Sequence, residues 1–190
     1  MLWFTSDWHF NHNKEFVYKE RNFSDINQMN KSIITLYNNI VQPDDEVYVL
    51  GDLMLGDLDE GLNCIQQLNG HLHIVRGNHD TDRRWEAYKN LSNVVELENA
   101  IYLKWHKYHF YLSHFPTFTG NIEKEALTQM TINLYGHTHQ KNNFYNDIPY
   151  MYHVGIDSHN CCPVSIDTII KEMYEKLEEC KQFVVEVNSG

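Results

Sequence analysis

The stretch Glu46-Val47-Tyr48-Val49-Leu50-Gly51-Asp52 sets the pattern for the whole chain. Its first five residues form an apolar, β-branched run of strand length, and the run stops at a glycine followed by a carboxylate. Working outward, the same arrangement recurs. Leu2 to Ser6 reads as a strand and leads into Asp7-Trp8-His9. His71 to Val75 is strand-like and runs into Gly77-Asn78-His79-Asp80. Ile132 to Tyr135 precedes Gly136-His137-Thr138-His139, and Met151 to Val154 precedes Gly155.

Helical signals lie between these strands. Ile26, Met29, Ile33, Leu36, Tyr37 and Ile40 recur in steps of three and four, which predicts a helix over Ile26 to Ile40. Pro43-Asp44-Asp45 reads as a turn. A second helix is expected over Leu58 to Leu68 and a short one over residues 84 to 91. Val94 to Leu97, Ile101 to Trp105 and Tyr108 to Ser113 read as three short strands that pair in sequence. Ser165 is the expected N-cap of a last helix towards Cys180, with Ile166, Ile169, Ile170, Met173 and Leu177 on one face. Phe183 to Val187 is expected as an edge strand. The alternation predicts a layered α/β fold, and 190 residues are one domain's worth, 1–190.

Composition narrows the function. The formal net charge is -11, from 26 acidic and 15 basic residues. That field repels polyanions, so a long nucleic acid is disfavoured as a partner. No apolar run approaches the roughly 20 residues that span a membrane. The N-terminal segment has no signal-peptide pattern. The cysteines, Cys64, Cys161, Cys162 and Cys180, fit neither a disulfide framework nor a CxxC zinc site. They read as free intracellular thiols, and the protein as cytoplasmic.

Five segments carry the chemistry: Asp7-Trp8-His9, Gly51-Asp52, Gly77-Asn78-His79-Asp80, Ser113-His114 and Gly136-His137-Thr138-His139. Taken singly, each reads as an ordinary turn. Together, each at a strand end, they make a set, because ligands in open α/β sheets bind outside the carboxyl ends of strands. Period-two alternation is expected to send Asp7 and His9 to one face, and likewise His137 and His139. Asp52 has two carboxylate oxygens and is able to bridge two cations. Asn78 offers a neutral amide oxygen. The glycines at 51, 77 and 136 allow close backbone approach. The inventory Asp7, His9, Asp52, Asn78, His114, His137, His139 is all nitrogen and oxygen, which favours Mn²⁺, Fe²⁺, Zn²⁺, Co²⁺ or Ni²⁺ over a sulfur-ligated metal.

The ordered pattern DxH, GD, GNH(D/E), H, GHxH resembles the calcineurin-like metallophosphoesterase superfamily, with motifs at 7–9, 51–52, 77–80, 114 and 136–139. The resemblance implies a four-layer α/β/β/α sandwich of two mixed sheets flanked by helices. It implies two divalent metal ions, Mn²⁺ foremost. One would be held by Asp7, His9, Asp52 and His139, the other by Asp52, Asn78, His114 and His137. His79 would be free of metal and would protonate the leaving group. A metal-bridging hydroxide would attack a phosphate ester, with a nucleotide or other small phosphodiester as the expected substrate. Phosphomonoesters and a non-catalytic scaffold on the same fold are the rivals.

Departures from the pattern refine this. The protein phosphatases of the superfamily extend the second motif to GDxxDRG, where this chain has Leu55 and Gly56 in place of the acid and the arginine. Asp80 stands where those enzymes usually have Glu. The chain is more similar to the small bacterial, phage and archaeal phosphoesterases. Only 22 residues separate His114 from His137, so no large cap fits there and an open cleft is expected. His12 either reaches a substrate phosphate or is a solvated loop residue. Arg21, Arg76, Arg83 and Arg84 are candidates for a phosphate fork. Trp8, between two ligand candidates, either packs or lines the cleft. His71, His73, His106, His109, His153 and His159 are expected at the surface or core edge, and the acidic C-terminal helix as a solvated face.

Overall fold

The structure is a computed structural model that describes residues 1–120 and 126–189, with the side chains of 181–189 left out of the description. Its strands are β1 (Leu2–Thr5), β2 (Glu46–Val49), β3 (His71–Val75), β4 (Val94–Glu98), β5 (Ile101–Trp105), β6 (Tyr108–Leu112), β7 (Thr131–Tyr135), β8 (Met151–His153) and β9 (Val164–Ser165). Its α-helices are α1 (Glu15–Glu20), α2 (Ile26–Ile40), α3 (Leu58–Gln66), α4 (Asp82–Tyr88) and α5 (Ile166–Ser189).

The strands form two mixed sheets. One has the order β4-β3-β2-β1-β9, parallel except for β9; the other is β5-β6-β7-β8, where only the β5–β6 pair is antiparallel. Side-chain alternation divides the core. Phe4, Tyr48, Leu50 and Val75 meet Phe110, Leu112, Ile132, Leu134 and Tyr152 between the sheets, with the Phe4 and Phe110 ring centroids 6.4 Å apart. Val47, Val49, Leu72 and Ile74 face the other way, onto Met29, Ile33 and Tyr37 of α2 and Ile65 of α3. Truncating a ring as enclosed as Phe4 in such a core costs about 3–5 kcal/mol. Helix α5 packs Ile166, Ile169 and Met173 into the inter-sheet core. The outcome is the expected helix-flanked pair of mixed sheets.

Local chemistry explains the helix starts. Asp25 caps α2 by accepting from Gln28 N at 2.9 Å, and Asp57 caps α3 by accepting from Glu60 N at 3.1 Å. Ser165 Oγ accepts from Thr168 N at the start of α5, as expected.

Two expectations are corrected. β4 does not pair with β5. It pairs in parallel with β3, Leu72 opposite Val94, because α4 returns the chain as a crossover helix. β5 and β6 alone make the hairpin, through the two residues His106 and Lys107, with His106 in the left-handed region at φ 51°. The edge strand expected over Phe183 to Val187 is replaced by α5, which continues to Ser189; β-propensity gives way to propagation of an established helix.

One bridge fixes where the site lies. Ser6 at the end of β1 pairs with Gly155 just beyond β8, and Ile156 N donates to Ser6 O at 3.2 Å. The carboxyl ends of the parallel strands in both sheets are thereby drawn to one place.

Candidate metal centre

All eight candidate residues come together where the parallel strands end. Asp7 and His9 follow β1, Asp52 follows β2, Asn78 and His79 follow β3, His114 follows β6, and His137 and His139 follow β7. The loops are stitched by backbone hydrogen bonds, Asp7 N to Gly51 O (3.0 Å), His9 N to Asp52 O (3.1 Å) and Gly136 N to His114 O (3.0 Å).

The convergence does not come from strand pleating, as the spacing suggested. Asp7, His9, Asp52, His137 and His139 all have positive φ, between 49° and 68°. The left-handed region is uncommon for such side chains and costs energy that the surrounding structure must offset. The tight turns swing each side chain off its strand and back towards the strand ends. Gly51, at φ 92°, completes the arrangement, since a Cβ there would sit 2.6 Å from both Gly77 Cα and His114 Nδ1.

The donor atoms form two groups that share one oxygen. In the first, His9 Nε2 and His139 Nε2 are 3.1 Å apart, and each is 3.9 Å from Asp7 Oδ1. Asp52 Oδ2 lies 3.8 Å from His9 Nε2. In the second, Asn78 Oδ1 is 2.8 Å from both His114 Nε2 and His137 Nδ1. The same Asp52 Oδ2 is 3.5 Å from His114 Nε2.

Hydrogen bonding sets the ring tautomers. His114 Nδ1 donates to Leu50 O at 2.8 Å, and His139 Nδ1 donates to Asp157 Oδ2 at 2.8 Å. In the neutral rings each Nε2 then carries a lone pair aimed into the site. Burial holds His9 well below the usual imidazole range and also lowers His137. Burial raises the Asp7 carboxyl, and its Oδ1 is a buried oxygen without a hydrogen-bond partner. With Nδ1 of His114 bonded to Leu50 O, the neutral ring's Nε2 lone pair faces the Asn78 Oδ1 lone pairs at 2.8 Å, and His9 Nε2 and His139 Nε2 crowd to 3.1 Å. Such a cluster is stable around cations, and oxygen–nitrogen donors fit a divalent transition ion. Asp7 with His9 and His139, and Asp7 with Asp52 and His114, each bring three ligand atoms within 4.8 Å of one another.

His79 stands apart from these donors. Its side chain is 46% exposed, with Nε2 3.9 Å from Asp52 Oδ2 and its ring edge-on to His9 at 5.6 Å. The site opens onto a cavity of about 410 Å³ lined by His9, His12, Phe16, Glu20, His79 and His139, among others. His12 therefore lines the cleft, its ring 5.6 Å from that of His9.

The structure decides several readings that the sequence leaves open and corrects one, His153. Trp8 does not line the cleft; it is fully buried in the core and donates to Thr5 Oγ1. Arg21 is no phosphate fork. Its five N–H groups are all engaged, by Asp7 O, Trp8 O, both Asp157 oxygens and Met29 Sδ. Arg76 binds Asp80 O and Asp82, and Arg84 binds His79 O. Arg83 is exposed. His153 is interior, fully buried, with Nδ1 2.9 Å from Ser158 Oγ.

Two residues were missed. Asp157 grips Arg21 and His139 together; it lies two residues past Gly155 in the turn after β8, so a carboxylate near a strand-ending glycine is the signal that points to it. In the sequence Asp80 shows only as a departure from the usual Glu. It accepts from Asp52 N (2.8 Å), Leu53 N (3.3 Å), Gly77 N (2.8 Å) and Tyr88 OH (2.9 Å), and so locks the second motif to the third.

The family model described as the calcineurin-like phosphoesterase superfamily domain matches residues 2–155. An uncharacterized protein of Methanocaldococcus jannaschii is 30% identical over 178 residues, 90% of this chain and 89% of that protein. The gene 66 protein of Mycobacterium phage L5 is 25% identical over 181 residues, 82% of this chain and 86% of that protein. The fold matches the crystal structure of a protein of unknown function from Aquifex aeolicus with a TM-score of 0.67 at 24% identity, covering 90% and 98% of the two chains.

Proposed function

Since this chain belongs to the calcineurin-like phosphoesterase superfamily and is a metal-dependent phosphoester hydrolase, we propose that it is a binuclear phosphodiesterase acting on nucleotides or other small phosphodiesters. The observation that carries the reading is Asp52 Oδ2, which lies 3.8 Å from His9 Nε2 and 3.5 Å from His114 Nε2 and so belongs to both donor groups. One ion, Mn²⁺ foremost, is assigned to Asp7, His9, Asp52 and His139, and a second to Asp52, Asn78, His114 and His137. When bound, such ions supply Lewis acidity at the phosphate and draw a nucleophile from water at neutral pH.

The residues of the chain do the rest. Asp157 and Leu50 O orient the rings of His139 and His114. Asp80 fixes the backbone on either side of Asp52. His79, half exposed above Asp52, is placed to donate a proton to the departing oxygen, and Arg84 steadies it through its carbonyl.

Charge favours a diester. All five N–H groups of Arg21 are used within the fold, which removes the buried guanidinium beside the cleft as a partner for the second charge of a phosphomonoester. The net charge of -11 favours small substrates over long nucleic acid. Among the described residues no helix is long and apolar enough to cross a membrane, and four free cysteines suit the reducing cytoplasm.

The test is hydrolysis of bis-p-nitrophenyl phosphate beside p-nitrophenyl phosphate, with Mn²⁺ and with chelator. Release from the diester, abolished by chelator, is expected. Release from the monoester alone overturns the diester assignment. Retention of two tightly held ions by Asp52→Ala overturns the shared-ligand assignment.

A further inference from the structure

The cavity beside the metal centre has two unlike ends. One end is the imidazoles of His9, His79 and His139; the other is Phe16 and Val17 of α1 with the carboxylate of Glu20. Phe16 is 64% exposed, an unusual place for a phenyl ring with no packing role. Its ring meets His12 edge-on at 5.8 Å, and His12 in turn lies 5.6 Å from His9. Three rings thus lead from the donor cluster to the cavity wall in two steps of 5.6 Å and 5.8 Å. Glu20 is exposed at that same end, and among the described residues its carboxylate carries no ion pair or hydrogen bond.

These features specify a ligand. An exposed phenyl face beside a phosphate-binding centre is a stacking platform, and every base offers a π-face to it. A carboxylate only accepts hydrogen bonds, so it favours a ring edge bearing an amine. The volume of about 410 Å³ is that of a small-molecule site. We propose that Phe16 and Val17 form a nucleobase subsite, and that Glu20 selects bases with an exocyclic amino group at the edge it faces. This rests on the phosphodiesterase reading and names the group that its substrate carries. In such a complex the phosphate lies at the His9, His79 and His139 end, the sugar passes His12, and the base stacks on Phe16.

The test separates the subsite from the chemistry. Two esters share the p-nitrophenolate leaving group and differ only in the group that stays: p-nitrophenyl thymidine 5′-phosphate and methyl p-nitrophenyl phosphate. With Mn²⁺-loaded protein, Phe16→Ala is expected to lower kcat/KM on the thymidine ester about tenfold, the scale of one base–aromatic stack, and to leave the methyl ester unchanged. Phe16→Trp is expected to restore the thymidine rate. Equal loss on both esters, or no loss on either, overturns the subsite while the hydrolase reading stands. Titration with CMP and UMP by calorimetry reads the second part without turnover. CMP is expected to bind more tightly than UMP, and Glu20→Gln to remove the difference; equal binding by the unaltered protein overturns the role of Glu20. If neither ester is hydrolysed but CMP still binds and Phe16→Ala weakens it, the hydrolase reading fails and the subsite stands.

Discussion

Asp157 accepts a 2.8 Å hydrogen bond from His139 Nδ1 while both its oxygens take 2.9 Å hydrogen bonds from the buried guanidinium of Arg21. Burial opposes its ionisation, and the bonds from His139 and Arg21 overcome that, so the carboxyl is held well below its usual range. Arg21 also holds the carbonyls of Asp7 and Trp8. One carboxylate therefore orients a ligand ring on one side and the first motif on the other.

Asp157→Asn should lower the affinity for Mn²⁺ about tenfold to a hundredfold, the usual cost of losing a supporting partner of a ligand histidine. The amide keeps an acceptor for His139 but loses the charge that pairs with Arg21. Competition with a chromogenic chelator reads the affinity, and circular dichroism checks that the fold persists. Unchanged affinity in a folded variant would remove Asp157 from the metal centre.

Asp80 tests how far the site is part of the fold. Asp80→Ala leaves the backbone N–H groups of Asp52, Leu53 and Gly77 and the hydroxyl of Tyr88 without their acceptor. Each buried orphan costs about 1–3 kcal/mol, so a loss of roughly 3 kcal/mol or more is expected. Urea unfolding in the presence of chelator measures it apart from any metal contribution. Stability within about 0.5 kcal/mol of the parent, the range of an ordinary surface substitution, would contradict the network.

Much of this was legible in the sequence, for different reasons. The strands ending in Gly51, Gly77 and Gly136 were readable because an apolar run and a turn residue are local signals. The α2 face of Ile26, Met29, Ile33 and Tyr37 was readable from its period. The pairing of β4 was not, since strand partners are chosen by tertiary contacts that a run such as Val94–Leu97 does not encode. Nor was the way Asp7 and His9 meet: alternation gave the right neighbours by the wrong route, because a left-handed φ leaves no pattern in side-chain polarity. Arg21 looked like a phosphate ligand because its type suits one, and only the fold shows its donors already engaged. The short α1, with Phe16 and Glu20, gave no periodic signal at six residues.

His79→Asn separates binding from turnover. His79 Nε2 is 3.9 Å from the shared oxygen of Asp52 and the ring is half exposed, so its loss should spare both ions. Proton delivery typically contributes about 10²–10⁴-fold, and kcat on a diester with a poor leaving group should fall within that range. A p-nitrophenolate leaving group needs less help, so the deficit should shrink there. An equal deficit on good and poor leaving groups would argue for a role other than the acid.

The last prediction concerns stability away from the site. Glu46 on β2 lies 2.6 Å from His73 Nε2 and 3.3 Å from His71 Nδ1, both on the adjacent β3. The hydrogen bond with His73 is the main cause that holds the Glu46 carboxyl below its usual range. A folded-state pKa below the unfolded one, about 4.3 for glutamate, contributes stability that is present above the unfolded value. It is lost as pH falls through the lower folded value. Glu46→Gln should therefore unfold at lower urea than the parent near pH 6, and the gap should narrow as pH falls below the unfolded value of about 4.3 and close once it passes the lowered folded value, where the parent's carboxylate is protonated as well. The pair is partly exposed, so added salt should also narrow the gap at pH 6. A gap that stays constant from pH 6 to pH 3 would mean that packing, and not the ionised carboxylate, is what Glu46 contributes.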